Sequence, residues 1–106
     1  MRVGALAHIG QCPNLDWLEL SGCGNVTHAG LAQLASLPWL WTLDLHANPQ
    51  LDDRAVEPLS RIPTLRVLFL SGTNLTPAGL TRLSQALPKC AIFHDGGVLL
   101  PKPKSP

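Results

Sequence analysis

Asp44, His46 and His94 are the residues whose types could ligate a metal ion or move a proton, since two imidazoles and a carboxylate are what a zinc site or an acid–base step uses. Ser21 and Ser71 could act as nucleophiles only beside a histidine and a carboxylate. No such arrangement is visible around them, and neither sits in a Gly-rich nucleophile turn. Three cysteines, Cys12, Cys23 and Cys90, are an odd number in a chain that does not look disulfide-dependent, which predicts reduced thiols and a cytoplasmic setting. Cys90 replaces a leucine of the pattern described below. It is therefore expected to be buried and a poor nucleophile.

The elements that must position these residues follow from one period. Prolines stand at 13, 38, 63 and 88, each 25 residues from the next. The set Leu15, Leu18, Leu20 recurs as Leu40, Leu43, Leu45 and as Leu65, Leu68, Leu70, then fades into Cys90, Phe93 and Asp95. A repeat that cannot bury its apolar face alone must stack on its copies. Within each copy, alternation as at Trp17 to Ser21 predicts a strand with leucines inward. The equivalent strands are expected at Thr42 to His46, Val67 to Ser71 and, more weakly, Ile92 to Gly96.

A turn and a helical stretch follow each strand, as in Leu31, Leu34 and Leu37. Thr27, Asp52 and Thr76 are placed to cap the helices, and Pro77 suits a first helical position. Pro58 lies deeper in its helix, which should be short, kinked or partly of the tighter form. The third copy deletes one residue in its turn and regains one in its helix, so the strands are expected to stay in phase. Strands in register with a crossover between each pair must run parallel.

The outward residues then form rows across strands about 4.8 Å apart. One row is Trp17, Thr42, Val67, Ile92; the next is Glu19, Asp44, Phe69, His94; the third is Ser21, His46, Ser71, Gly96. His46 and His94 stand two strands apart, roughly 10 Å, too far for one zinc ion with bonds of about 2.0–2.1 Å. No metal site, cofactor or catalytic residue is expected. Exposed aromatics in an apolar strip mark interface anchors, so Trp17, Glu19, Asp44, His46, Val67, Phe69 and His94 are the expected partner-binding residues. Adjacent Glu19 and Asp44 repel, which calls for a positive group: a partner's basic patch or Arg66. Trp39 and Trp41 are expected to pack against adjoining copies.

Composition bounds the rest. The chain has 106 residues, 45 % hydrophobic and 14 % charged, enough for one domain with a core. A net charge of +1 with scattered basic residues leaves no footprint for nucleic acid or an anionic membrane. Neither a signal peptide nor a membrane span is read.

The stretch from Cys12 through Leu18, Leu20, Cys23 and Thr27 to Leu31 resembles the leucine-rich repeat superfamily, in its cysteine-containing F-box-type and bacterial subtype. That resemblance implies an α/β, right-handed solenoid with parallel strands on the concave face and short helices on the convex face. It also implies that Cys23, Asn48 and Thr73 turn inward to bond the backbone of the turns. The domain is expected over 1–97, with three full repeats and partial ones at both ends, and 98–106 as a disordered proline–lysine tail. The expected function is a non-catalytic protein-protein interaction module that binds on the concave face. The alternatives are a structural segment of a longer array and the substrate-recognition part of a ubiquitin ligase. Exposed leucine frames at either end would permit end-to-end self-association.

Overall fold

Leu18, Leu43, Leu68 and Ile92 lie side by side at the centre of one sheet, all of them fully buried. They belong to strands β1 (Trp17–Glu19), β2 (Thr42–Asp44), β3 (Val67–Phe69) and β4 (Ala91–His94), which pair in parallel and in chain order. A fifth strand, β5 (Gly97–Leu99), turns back antiparallel on β4. The structure is a computed structural model, and it describes residues 16–101 apart from 23, 25 and 38. Expectations for Cys12, Leu15 and Cys23, and for most of the tail, lie outside the described residues.

Helices α1 (His28–Leu31), α2 (Val56–Ser60) and α3 (Pro77–Ala86) supply the crossovers, with 3₁₀ turns at Ala32–Ser36 and Asp53–Ala55. Each helical segment begins where a side chain answers an orphan N–H. Thr27 accepts from the Gly30 amide, Asp52 from that of Arg54 and Thr76 from that of Gly79. Pro77 occupies the first turn of α3. Pro58 confines α2 to five residues behind a 3₁₀ turn. The apolar faces of the helices, Leu31, Leu59, Leu80 and Leu83 among them, join the strand leucines in one core.

The turns between coils are tied by polar side chains. Asn48 is fully buried, and its amide nitrogen donates to the carbonyls of Leu45 (2.8 Å), Leu20 (3.0 Å) and His46 (3.2 Å). Its oxygen accepts from Gln50 at 3.0 Å and from the Gly24 amide at 3.3 Å. Thr73 makes the simpler bond to the Leu70 carbonyl, at 2.7 Å. Between α2 and α3, the Asp53 carboxylate accepts from the Thr76 amide (2.8 Å) and hydroxyl (2.5 Å). A Cβ on Gly79 would stand 2.0 Å from an Asp53 oxygen, so this junction needs glycine there.

Two expectations are corrected here. The strands do not stay in phase: Thr42 pairs with Val67, but Val67 pairs with Ala91 and Phe69 with Phe93. Leu65 and Leu68 are three residues apart while Cys90 and Ile92, equally buried, are two apart, so the last strand enters the sheet one residue early. The second correction concerns the open-ended solenoid. The described residues form a mixed α/β domain of five strands and three helices, 39 × 29 × 19 Å, whose edge at β4 is taken by the antiparallel β5. A further parallel strand has no place to pair at β4. The sheet also reaches Leu99, beyond residue 97 where the sequence placed the end of the domain.

Candidate functional site

The helices pack against the inward side of the sheet, and its other side carries the alternate residues of every strand. The register fixes two rows there. One is Trp17, Thr42, Val67 and Ala91; the other is Glu19, Asp44, Phe69, Phe93 and Val98. Trp17 is 59 % exposed, and Phe93 is exposed beside the half-buried Phe69. The two phenyl rings stack, with centroids 4.9 Å apart and planes 18° from parallel, an arrangement that adds to their burial.

Six of the seven residues expected to bind a partner lie together on this side: Trp17, Glu19, Asp44, His46, Val67 and Phe69. His94 does not. The one-residue advance of β4 gives its place in the row to Phe93, and His94 lines a separate cleft with Leu70, Leu75, Pro77, Leu80 and Leu99. That cleft, of about 350 Å³, is mostly apolar. The His94 ring nitrogen Nδ1 accepts from the Gly96 amide at 3.1 Å.

Asp44 and His46 form a pair, with Nδ1 of the ring 2.5 Å from Oδ1 of the carboxylate, which also accepts from the His46 amide at 3.1 Å. Glu19 has no partner among the described residues. Arg66 does not turn to these carboxylates: its guanidinium donates to the carbonyls of Leu65 (2.9 Å) and Pro63 (3.0 Å) and lies 5.1 Å from the centre of the Trp41 ring. The expected packing of Trp39 and Trp41 against neighbouring coils is also corrected. They are 62 % and 53 % exposed, and Trp41 instead serves as the surface under Arg66.

The chemistry open to these groups is limited. Among the described residues no three of His, Cys, Asp and Glu gather where they could hold a metal ion, and neither Ser21 nor Ser71 hydrogen-bonds the His46 ring. Burial pushes the Cys90 thiol up to about 11, against a smaller opposing effect of the Arg66 charge. The side-chain hydrogen bond from Arg54, with the Arg54 amide next, holds Asp52 at about 2, but Asp52 caps a helix far from the rows. No helix among the described residues is long and apolar enough to cross a membrane.

Phe93 and Val98 were missed by the sequence reading. Holding the 25-residue frame put Ile92 outward and Phe93 inward, the reverse of the register in the sheet.

The geometry defines a class of protein, a small mixed α/β domain of five strands and three helices, and solved structures share that fold. The chain is similar to the tropomodulin C-terminal domain of Caenorhabditis elegans, with a TM-score of 0.64 and 18 % identity over 84 % of this chain and 59 % of that one. It is similar also to Actin-Binding Site 2 of leiomodin-1, with a TM-score of 0.64 and 16 % identity over the same shares. At such identities the likeness is one of fold, and the chain spans about three fifths of the length of each. No protein-family model matches the chain, and no curated protein matches it. These findings overturn the assignment to the leucine-rich repeat superfamily and its F-box-type and bacterial subtype. The likeness is to tropomodulin and leiomodin domains instead. The ubiquitin-ligase reading and the repeat-array reading fall with that assignment. End-to-end self-association is likewise without support, since Leu83, Leu87, Cys90 and Ile92 of the last coil are all buried.

Proposed function

We propose that this chain is a non-catalytic protein-binding module whose partner seats on the helix-free side of the sheet, over Trp17, Glu19, Asp44, His46, Val67 and Phe69. The observation that carries this reading is the apolar strip on that side: an exposed Trp17, the stacked pair of Phe69 and Phe93, and Val98 at the far edge. Large rings left in water on a rigid surface are the usual anchors of protein interfaces. Phe93 joins the proposed set through the register, and His94, which lines the separate cleft, leaves it. The module comprises the sheet through Leu99 with its helices, the proline–lysine tail following it.

Leiomodin-1, whose domain shares this fold, is named for an actin-binding site. Actin is accordingly the first partner to test, and a cytoplasmic setting agrees with the unpaired Cys90 thiol. Cosedimentation with filamentous actin and native gel shift with monomeric actin should show binding by the wild type and loss of at least tenfold in affinity for Trp17→Ala/Phe69→Ala. Equal binding by a folded double variant would remove this face from the interface. No binding of either actin form by the wild type would remove actin as the partner.

A further inference from the structure

The outward row Glu19, Asp44, Phe69, Phe93, Val98 is sorted by chemistry along its length: two carboxylates at one end, then two stacked rings and an aliphatic side chain at the other. Glu19 is exposed, and Asp44, its side chain 13 % exposed beside His46, keeps part of its binding capacity. Glu19 has no partner among the described residues, and Asp44 uses only Oδ1, toward His46, so its second oxygen carries no hydrogen bond there. The cation nearest in sequence pattern, Arg66, is committed to Trp41 and to two backbone carbonyls. Carboxylates placed side by side at about 4.8 Å, the spacing of neighbouring strands, repel each other until a cation approaches.

From this we infer that the face is polar in the directional sense: it takes a basic, apolar-faced peptide segment with its Lys or Arg over Glu19 and Asp44 and its apolar side chains on Phe69 and Phe93. The inference rests on the proposed protein-binding reading and adds to it the chemistry and the direction of the partner. A helix suits the row, because side chains on one helix face recur about every 5.4 Å along the axis and the row recurs about every 4.8 Å across the strands. A partner cation about 10 Å from an apolar anchor, two strand spacings, would meet Glu19 while the anchor meets Phe69. An acidic segment of the same shape is rejected by the two carboxylates, so the row both attracts one sign and excludes the other.

The test uses three synthetic helical peptides of equal length: one with lysines in one half and leucines on the same face of the other half, one with each lysine replaced by glutamate, and one with each leucine replaced by glutamine. Isothermal titration and amide chemical-shift mapping would be run on the full chain. The wild type should bind the lysine–leucine peptide at least tenfold tighter than the other two, with shifts along the row, and more weakly as salt rises. Glu19→Gln/Asp44→Asn, which keeps the shape and one acceptor oxygen on each side chain while removing the charge, should lose at least tenfold for that peptide only. Equal affinity for the glutamate–leucine peptide, equal binding by the Gln/Asn variant, or no preference among the three overturns the inference. Phe69→Ala/Phe93→Ala separates the two readings. If it loses binding while the Gln/Asn variant does not, the face stands and its charge preference falls; if it binds as the wild type does, the face itself falls.

Discussion

Asn48 answers three backbone carbonyls in two successive turns and receives two donors, all from a side chain shut away from water. Alanine there takes their donor from the Leu20 and Leu45 carbonyls and their acceptor from the Gly24 amide, while the His46 carbonyl keeps the Gly22 amide at 3.0 Å, and unmade buried hydrogen bonds cost about 1–3 kcal/mol each where water cannot enter. Asn48→Ala should therefore destabilise the fold by about 2–3 kcal/mol, measured by urea denaturation. Thr73, with a single bond to the Leu70 carbonyl, should be more tolerant of the same change. Cys90 makes the complementary point about reactivity. With its thiol held at about 11 by burial, it should resist iodoacetamide at pH 8 in a Cys12→Ser/Cys23→Ser background and react fully in denaturant. Labelling of the native protein at the rate of a free thiol would contradict that burial. The inward turn of Asn48 was implied only by the family resemblance, whereas the burial of Cys90 was open to sequence reading, because it stands in a leucine's place in the 25-residue frame. The exposure of Trp39 and Trp41 was not, since a tryptophan beside a buried leucine carries no mark of which way its ring turns.

At the scale of elements, the capping residues were legible because capping depends on one side-chain oxygen and the next few amides, all local in sequence. Asp52 shows what such a cap does with pH. Its folded-state value, about 2, lies below the usual 3.8, so its charge stabilises the fold above about pH 4 and that contribution is lost as pH falls through 3.8 toward 2. Asp52→Asn should flatten the acid limb of a stability–pH curve in that window, and an unchanged limb would assign the acid sensitivity to other carboxylates. The turns after the strands give a second case. Gly22, Ala47 and Gly72 hold the same place in successive coils, with φ of 63°, 59° and 76°. Ala47 bears the steric penalty of that left-handed backbone, which for a residue with a Cβ is about 1–2 kcal/mol. Ala47→Gly should leave stability unchanged or raise it by up to about 1 kcal/mol after the extra freedom of the unfolded glycine is subtracted. Gly72→Ala should lower it, since the new Cβ would also meet the Ala47 backbone at 3.0 Å. The fourth strand was misplaced by one residue for a different reason: its register is set by how Cys90 and Ile92 both reach the core, a packing outcome that a strict period cannot express. The hairpin to β5 had a local signal in Asp95-Gly96-Gly97 ahead of Val98-Leu99, but the repeat frame absorbed it.

For the whole molecule, the consequence of closing the β4 edge is cooperativity. A linear stack in which each coil touches only its neighbours can lose structure from one end, with each coil's stability entering almost independently. Here the buried residues from Leu18 in β1 to Ile92 in β4 form one continuous cluster, with Leu99 of β5 packed against it, so no coil has a core of its own. Leu43, fully buried at the centre of the sheet, is the residue whose truncation should be felt at both ends. Leu43→Ala removes three heavy atoms' worth of contact and leaves a void, an effect of about 2–5 kcal/mol. Two reporters at opposite ends can follow the loss: Trp17 on β1 by fluorescence in a Trp39→Phe/Trp41→Phe background, and the accessibility of the Cys90 thiol just before β4 in a Cys12→Ser/Cys23→Ser background. In the wild type both should report one transition with the same midpoint in urea. In Leu43→Ala both midpoints should move down together, because the void lies in the core they share. A Cys90 midpoint that stays at its wild-type value while the Trp17 midpoint falls would mean that the coils unfold one after another, and the single-core description would have to be given up.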